Sequence, residues 1–189
     1  MKKALFSFAI VAAALLVASC GNKGGNTQAT DEKEAEAVVP DGYKTHEFSH
    51  FFVSVPDEFS HDGENDYGES TSVRFYSEAM VKHDDGEEYS SSATIDCGFM
   101  TGGSTPSQIK ETATNLKLGR EATGDTCDEP IIDGNTILMR TYYDGVITWR
   151  WWIVSDSGNN IAGNICYPET EAKYYDGMAQ KIVKTIKFK

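Results

Sequence analysis

The sequence has no long apolar run. Its one marked apolar stretch, residues 4–16, is shorter than the roughly 20 residues a helix needs to span a bilayer. Positive charge is also scarce: 17 Lys and Arg stand against 29 Asp and Glu, a net charge of −12 at pH 7. Such a surface repels nucleic-acid phosphates and anionic lipid headgroups, so no nucleic-acid partner is expected. Cysteine is sparse, and no C-x-x-C occurs, which argues against redox chemistry. There is no G-x-S-x-G for a serine nucleophile, and no Cys–His pairing is legible from spacing. Gly102-Gly103 is too short for a phosphate-binding loop and lacks its lysine. No internal repeat occurs, and no cofactor is expected.

What is present begins at the N-terminus. Lys2 and Lys3 precede the apolar stretch, which closes on Leu16-Val17-Ala18-Ser19-Cys20. A charged start, a short apolar segment and small residues at the cut make a secretory signal. The pattern resembles a bacterial lipoprotein signal with its lipobox. The resemblance implies cleavage between Ser19 and Cys20, a diacylglyceryl group on the Cys20 thiol, and acylation of the new amine. One acyl chain anchors only marginally, whereas several hold stably, so the implied partner is the membrane, through lipid on Cys20. Gly21 follows Cys20 where an Asp would mark inner-membrane retention in enterobacteria, and outer-membrane localisation in the cell envelope is expected. Cleavage would remove Lys2, Lys3 and no acid, leaving a net charge of −14.

Residues 21–40 are rich in Gly, Asn, Thr, Ala and Glu and contain no aromatic residue. Such a segment cannot bury enough apolar surface to offset its ordering entropy. The expected organisation is therefore a signal peptide over residues 1–19, a lipidated Cys and tether over 20–40, and one domain over 41–189. The domain is long enough to bury a substantial core.

Residues 43–48 and 51–55 read as strands, ending at Pro56. An acidic loop is expected over residues 57–69, then strands over 72–77 and 92–100. Thr105-Pro106-Ser107-Gln108 opens a helix with a capping box and Pro in the first turn, and Gly119 is expected to stop it. Asp144-Gly145 is a two-residue hairpin signal that sets Arg140 opposite Trp149 and Leu138 opposite Trp151. Met139 and Ile137 then share the other face with Trp152 and Val154. Both faces carry large apolar groups, so a helix is expected against each. Tyr174, Met178, Ile182 and Ile186 form the stripe of a final amphipathic helix beginning near Pro168.

This order, with Val55-Pro56-Asp57-Glu58-Phe59, Ile132-Asp133-Gly134-Asn135 and a terminal Ile186-Lys187-Phe188, resembles the PsbP-like α/β/α sandwich family. The resemblance implies an α+β fold, a largely antiparallel sheet with helices on both faces. It implies a small binding or assembly domain without shared catalytic residues.

Three motifs carry chemistry. His46-Glu47-Phe48-Ser49-His50 matches H-E-x-x-H, which binds zinc and activates water when a helix sets both His on one face. Here strand-like residues surround it, and in a strand such positions lie about 13 Å apart. A zinc-dependent hydrolase using His46, Glu47 and His50 is therefore the alternative reading, and no metal is expected. The acidic stretch breaks the EF-hand order, because Tyr67 follows Asp66 and Gly68 comes one position late. Trp149, Trp151 and Trp152 are expected to fill core for the most part, with Arg140, Arg150 and Trp152 as a candidate ligand face. Cys97, Cys127 and Cys166 are read as structural, with room for one bridge. The leading expectation is a lipid-anchored, non-enzymatic binding or assembly module with an envelope protein partner. A ligand-binding module using the meander aromatics stands beside it.

Overall fold

The computed structural model describes residues 38–189. The signal, Cys20 and most of the tether lie outside the described residues. β1 (Tyr43–Glu47) and β2 (Phe51–Pro56) pair antiparallel, from Tyr43 opposite Pro56 to Glu47 opposite Phe52. β3 (Phe59–Asp66), β4 (Ser70–Ser77) and β7 (Thr94–Met100) follow, with β5 (Met80–Lys82) and β6 (Glu88–Ser90) as a small hairpin between the last two. α1 (Ile109–Glu121) starts behind a single turn, where Gln108 Oε1 accepts the Thr105 N–H at 3.1 Å and Pro106 needs no donor. β8 (Thr126–Cys127), β9 (Ile131–Asp133), β10 (Thr136–Tyr143), β11 (Val146–Val154) and β12 (Asn160–Pro168) come next. The described chain closes with α2 (Ala172–Tyr175), α3 (Met178–Val183) and β13 (Lys187–Phe188).

Eight strands form the main sheet, in the order β3-β4-β7-β12-β11-β10-β8 with β9 also on β10. Every pairing is antiparallel. Asp144 and Gly145 take positive φ values of 46° and 76°, as a type I′ turn requires, and set Arg140 opposite Trp149 and Leu138 opposite Trp151.

On one face Phe75, Ile95, Ile165, Ile147 and Trp151 belong to the large core. Gly163 makes room there for Trp151: a Cβ at 163 would come within 2.6 Å of the indole and 2.3 Å of the Asp96 carbonyl oxygen. This face is closed mainly by a second, three-stranded sheet in the order β1-β2-β13, through Phe51, Val53 and Val55. The short α2 and α3 add Tyr175, Ala179 and Ile182. Thr185 Oγ1 accepts the buried Ser54 N–H at 2.8 Å. Phe52 and Phe51 pair with Lys187 and Phe188.

The other face is covered only in part. Ile109, Ala113 and Leu116 of α1 pack on Ile137, Val154 and Trp152.

The expected α/β/α sandwich is therefore corrected. The architecture is mostly antiparallel sheet with few helices, and no helix layer covers both faces. The apolar groups on both meander faces did need cover, but on the larger core face most of it comes from strands. Three further expectations are corrected. The acidic residues 57–69 hold an edge strand, β3, whose register shifts between His61 and Glu64. Gly119 lies within α1, and the chain turns at Gly124, with φ 94°. The final stripe is broken at Gly177, φ 89°, and its last residue, Ile186, lies past the end of α3 and just before β13. Helical spacing survived in the sequence because the interruption, Asp176 and Gly177, is short.

The three described cysteines are free. Cys127 faces Thr141, which faces Thr148, which faces Cys166. Three strand spacings of about 4.8 Å separate the two thiols, well past bridging range. Cys97 lies on the opposite face, and burial pushes its thiol up to about 12, which makes it unreactive.

Candidate functional site: the half-covered face of the main sheet

Alternation along the strands places two cross-strand rows side by side on the half-covered face. One runs Arg74, Asp96, Asn164, Arg150, Met139, each directly opposite the next. The other runs Ser72, Gly98, Ala162, Trp152, Ile137. The second row is low in the middle, because residues 98 and 162 have no side chain or a single methyl. The result is a trough of about 660 Å³, walled at one end by Leu116 and Arg120 of α1. That size suits a small-molecule ligand.

The charges of the trough are arranged unevenly. Arg74 holds Asp96 through two nitrogens, at 2.6 and 3.1 Å, and this pairing raises the Arg74 guanidinium above its usual value. Arg120 donates to the buried Asp125 at 2.8 and 2.7 Å. Arg150 has no such partner: among the described residues no carboxylate lies within ion-pairing distance, and its Nε is buried without a hydrogen bond. Burial, and secondly the nearby Arg120, pull the Arg150 guanidinium below its usual value.

Of the three residues expected on one ligand face, Arg150 and Trp152 meet in the trough. Arg140 does not. It lies on the opposite face, in the row of Trp149 and Ile165, and it lines a smaller depression of about 270 Å³ beside Asp128 and Glu169. The reason is pleat parity: residues 140 and 150 sit on paired strands but in adjacent rows, so their side chains leave opposite faces. Trp151 is buried, while Trp149 and Trp152 are half-buried. Trp152 Nε1 donates to Asn160 Oδ1 at 3.0 Å.

The pentapeptide around Glu47 runs along β1 and into a bend at Ser49 and His50, not along a helix. His46 packs among Phe48, Phe75 and His61. His61 Nδ1 accepts the Gly63 N–H at 3.1 Å, so its Nε2 carries the proton and donates to His46 Nδ1 at 3.1 Å. His46 is then protonated on Nε2, which is buried without a partner. Burial first, and then His61, pull His46 below the ordinary histidine value. Glu47 turns outward and pairs with Lys189 at 2.7 Å. His50 stacks on Phe99 with ring centroids 4.3 Å apart and bonds the Gly68 carbonyl at 3.1 Å. Each member of the motif thus has its own separate surroundings. Among the described residues, no group of three or more His, Cys, Asp and Glu side chains is arranged to hold a metal ion.

Arg74, Asp96, Asn164 and Arg120 were not expected in a site. They come together through long-range pairing of β4, β7 and β12 and the docking of α1. The local signal was limited to polar residues at alternate positions in otherwise apolar strands.

No family model matches the chain, and no curated protein matches it. Among the solved structures that resemble the fold are two of Mog1. One is a point mutant of the protein Mog1, 13% identical with a TM-score of 0.51, covering 77% of this chain and 95% of that one. The other is the Ran-binding protein Mog1p of Saccharomyces cerevisiae, also 13% identical with a TM-score of 0.51, covering 77% of this chain and 94% of that one. At that identity the likeness concerns the fold alone.

Proposed function

We propose that the protein is a lipoprotein of the bacterial cell envelope, anchored in the outer membrane through lipid on Cys20. Its folded domain acts as a non-catalytic binding or assembly module. The anchor rests on the sequence from Lys2 to Cys20. The binding reading rests on one observation: the trough left open where α1 stops short of β4, β7 and β12. An open, mostly apolar concavity beside a half-buried guanidinium whose buried Nε has no partner costs stability unless something occupies it. That one structural neighbour is named a Ran-binding protein is consonant with a binding role, and Ran itself is not carried over.

The test uses Ala162→Trp, which fills the trough floor. Crosslinking in cells, followed by purification through the C-terminus and mass spectrometry, should recover a bound species with the native chain. The folded variant should lose it. Equal recovery from both would defeat the binding reading. The anchor is tested separately by Cys20→Ala, which should leave the membrane fraction; retention after a high-salt wash would defeat it.

A further inference from the structure

We infer that the trough binds a small monocarboxylate with an apolar body, its carboxylate on Arg150 and its body against Trp152, Leu116 and Met139. This rests on the binding reading above and names the ligand class of that same site. Charge sets the head group. The trough region holds three guanidinium groups, of Arg74, Arg120 and Arg150, and two carboxylates, of Asp96 and Asp125. The two carboxylates are each taken by one arginine, and one positive charge is left over on Arg150. A monoanion balances it, whereas a dianion would meet the Asp96 and Asp125 carboxylates with charge unmatched. The planar fork of an arginine suits the two oxygens of a carboxylate. An anion there would also meet a group that is half-buried and now lacks a hydrogen-bond partner at Nε.

The apolar body follows from the surroundings of that group. Met139 lies directly across the strand pair from Arg150, Trp152 is two residues along the same face, and Leu116 of α1 lines the same trough. The low floor at Gly98 and Ala162 continues the slot past the indole. Arg140, whose Nε is likewise without a partner, does not compete as a site. Its depression is less than half the volume and is shared with Asp128 and Glu169. The overall charge of −12 disfavours large polyanions at the same surface.

The test is calorimetric titration of the purified protein with 4-phenylbutyrate and with its uncharged amide. The carboxylate should bind at least tenfold more tightly than the amide. Arg150→Gln should abolish that preference, and Arg150→Lys should restore part of it. Trp152→Leu should weaken both probes alike. Equal affinity for acid and amide, lost in Ala162→Trp, would overturn the carboxylate assignment while leaving the trough as a binding site. Binding of inorganic phosphate as tightly as phenylbutyrate would overturn the apolar body. Binding of neither organic probe would overturn the inference as a whole, and the crosslinking comparison would still decide the binding reading. One further occupant is checked directly. If Glu32→Gln, Glu34→Gln and Glu36→Gln together raise phenylbutyrate affinity tenfold, the chain's own acidic segment fills the trough, and the inference falls.

Discussion

The two faces of the main sheet are built from alternate residues of the same strands, and they are finished differently. Ile165 points into a core closed by β1, β2 and β13, with no exposed surface. Asn164, one residue earlier, points into an open trough. On the closed face most positions are apolar and buried, with Arg140 an exception on β10. On the open face α1 covers the β10–β11 end, and the remainder carries paired charges, small residues and one unpaired arginine. A single sheet can thus keep its stability on one side and its binding capacity on the other, because pleating assigns the residues independently.

The sharpest way to break that comparison is at neighbouring positions. Ile165→Ala should lose about 2–5 kcal/mol of unfolding free energy, since it leaves a cavity in a core that cannot collapse fully. Asn164→Ala should change it by only about 0.5 kcal/mol. Urea unfolding of both would decide, and comparable losses would mean that the faces do not differ. Gly163→Ala comes next, at about 1–3 kcal/mol, because its methyl group would press on the Trp151 indole and the Asp96 carbonyl oxygen. A neutral or stabilising result would show that the closed face is looser than described.

A smaller effect probes the edge of the closed face, where His46 sits. Its folded value is held below the ordinary 6.5, so the unfolded chain binds more protons in that range. Stability from this group is complete above about 6.5 and is lost as pH falls from there through the lower folded value. In His46→Asn that part of the pH dependence should disappear, as read by thermal midpoints between pH 7.5 and 5. An unchanged profile would place the acid sensitivity elsewhere. The smallest effect belongs to the open face. Arg74→Ala removes an ion pair whose arginine is 57% exposed, and should cost under about 1 kcal/mol. It should cost still less at high salt. A larger loss would mean that the row of Arg74, Asp96 and Asn164 holds the sheet together rather than lining a trough.

Much of the β10–β11–β12 meander could be read from the chain. Asp144-Gly145 fixes a two-residue loop, and a fixed loop fixes every opposite pair, including Arg140 with Trp149 and Leu138 with Trp151. The start of α1 was legible for a similar reason, since Thr105, Pro106 and Gln108 act locally. β3 was not legible: its Asp and Glu residues have poor strand propensity, and pairing with β4 overrides it at an exposed edge, where charge is an advantage. Gly177 was visible as a residue, but the apolar stripe on both sides hid the break. The candidate site was half legible. Arg150 and Trp152 follow from parity on a single strand. Their companions require the register of β4 against β7 and of β7 against β12, which no short turn dictates. The helical reading of both faces failed because a buried face demands cover without saying what supplies it.

The hydrogen bond from Ser54 to Thr185 spans 131 positions of chain, and it bears on the order of folding. Closing so long a loop in an open chain is entropically unfavourable. The intervening segment contains the hairpins of the main sheet, which form locally and draw residues 54 and 185 together. The β1-β2-β13 sheet should therefore consolidate after the folding barrier, as a late latch rather than a nucleus. Thr185→Val should then accelerate unfolding and leave the folding arm of the chevron almost unmoved. A slowed folding arm would place this latch in the transition state. On the expected order, the chain acquires its open trough before its closed face is fully sealed.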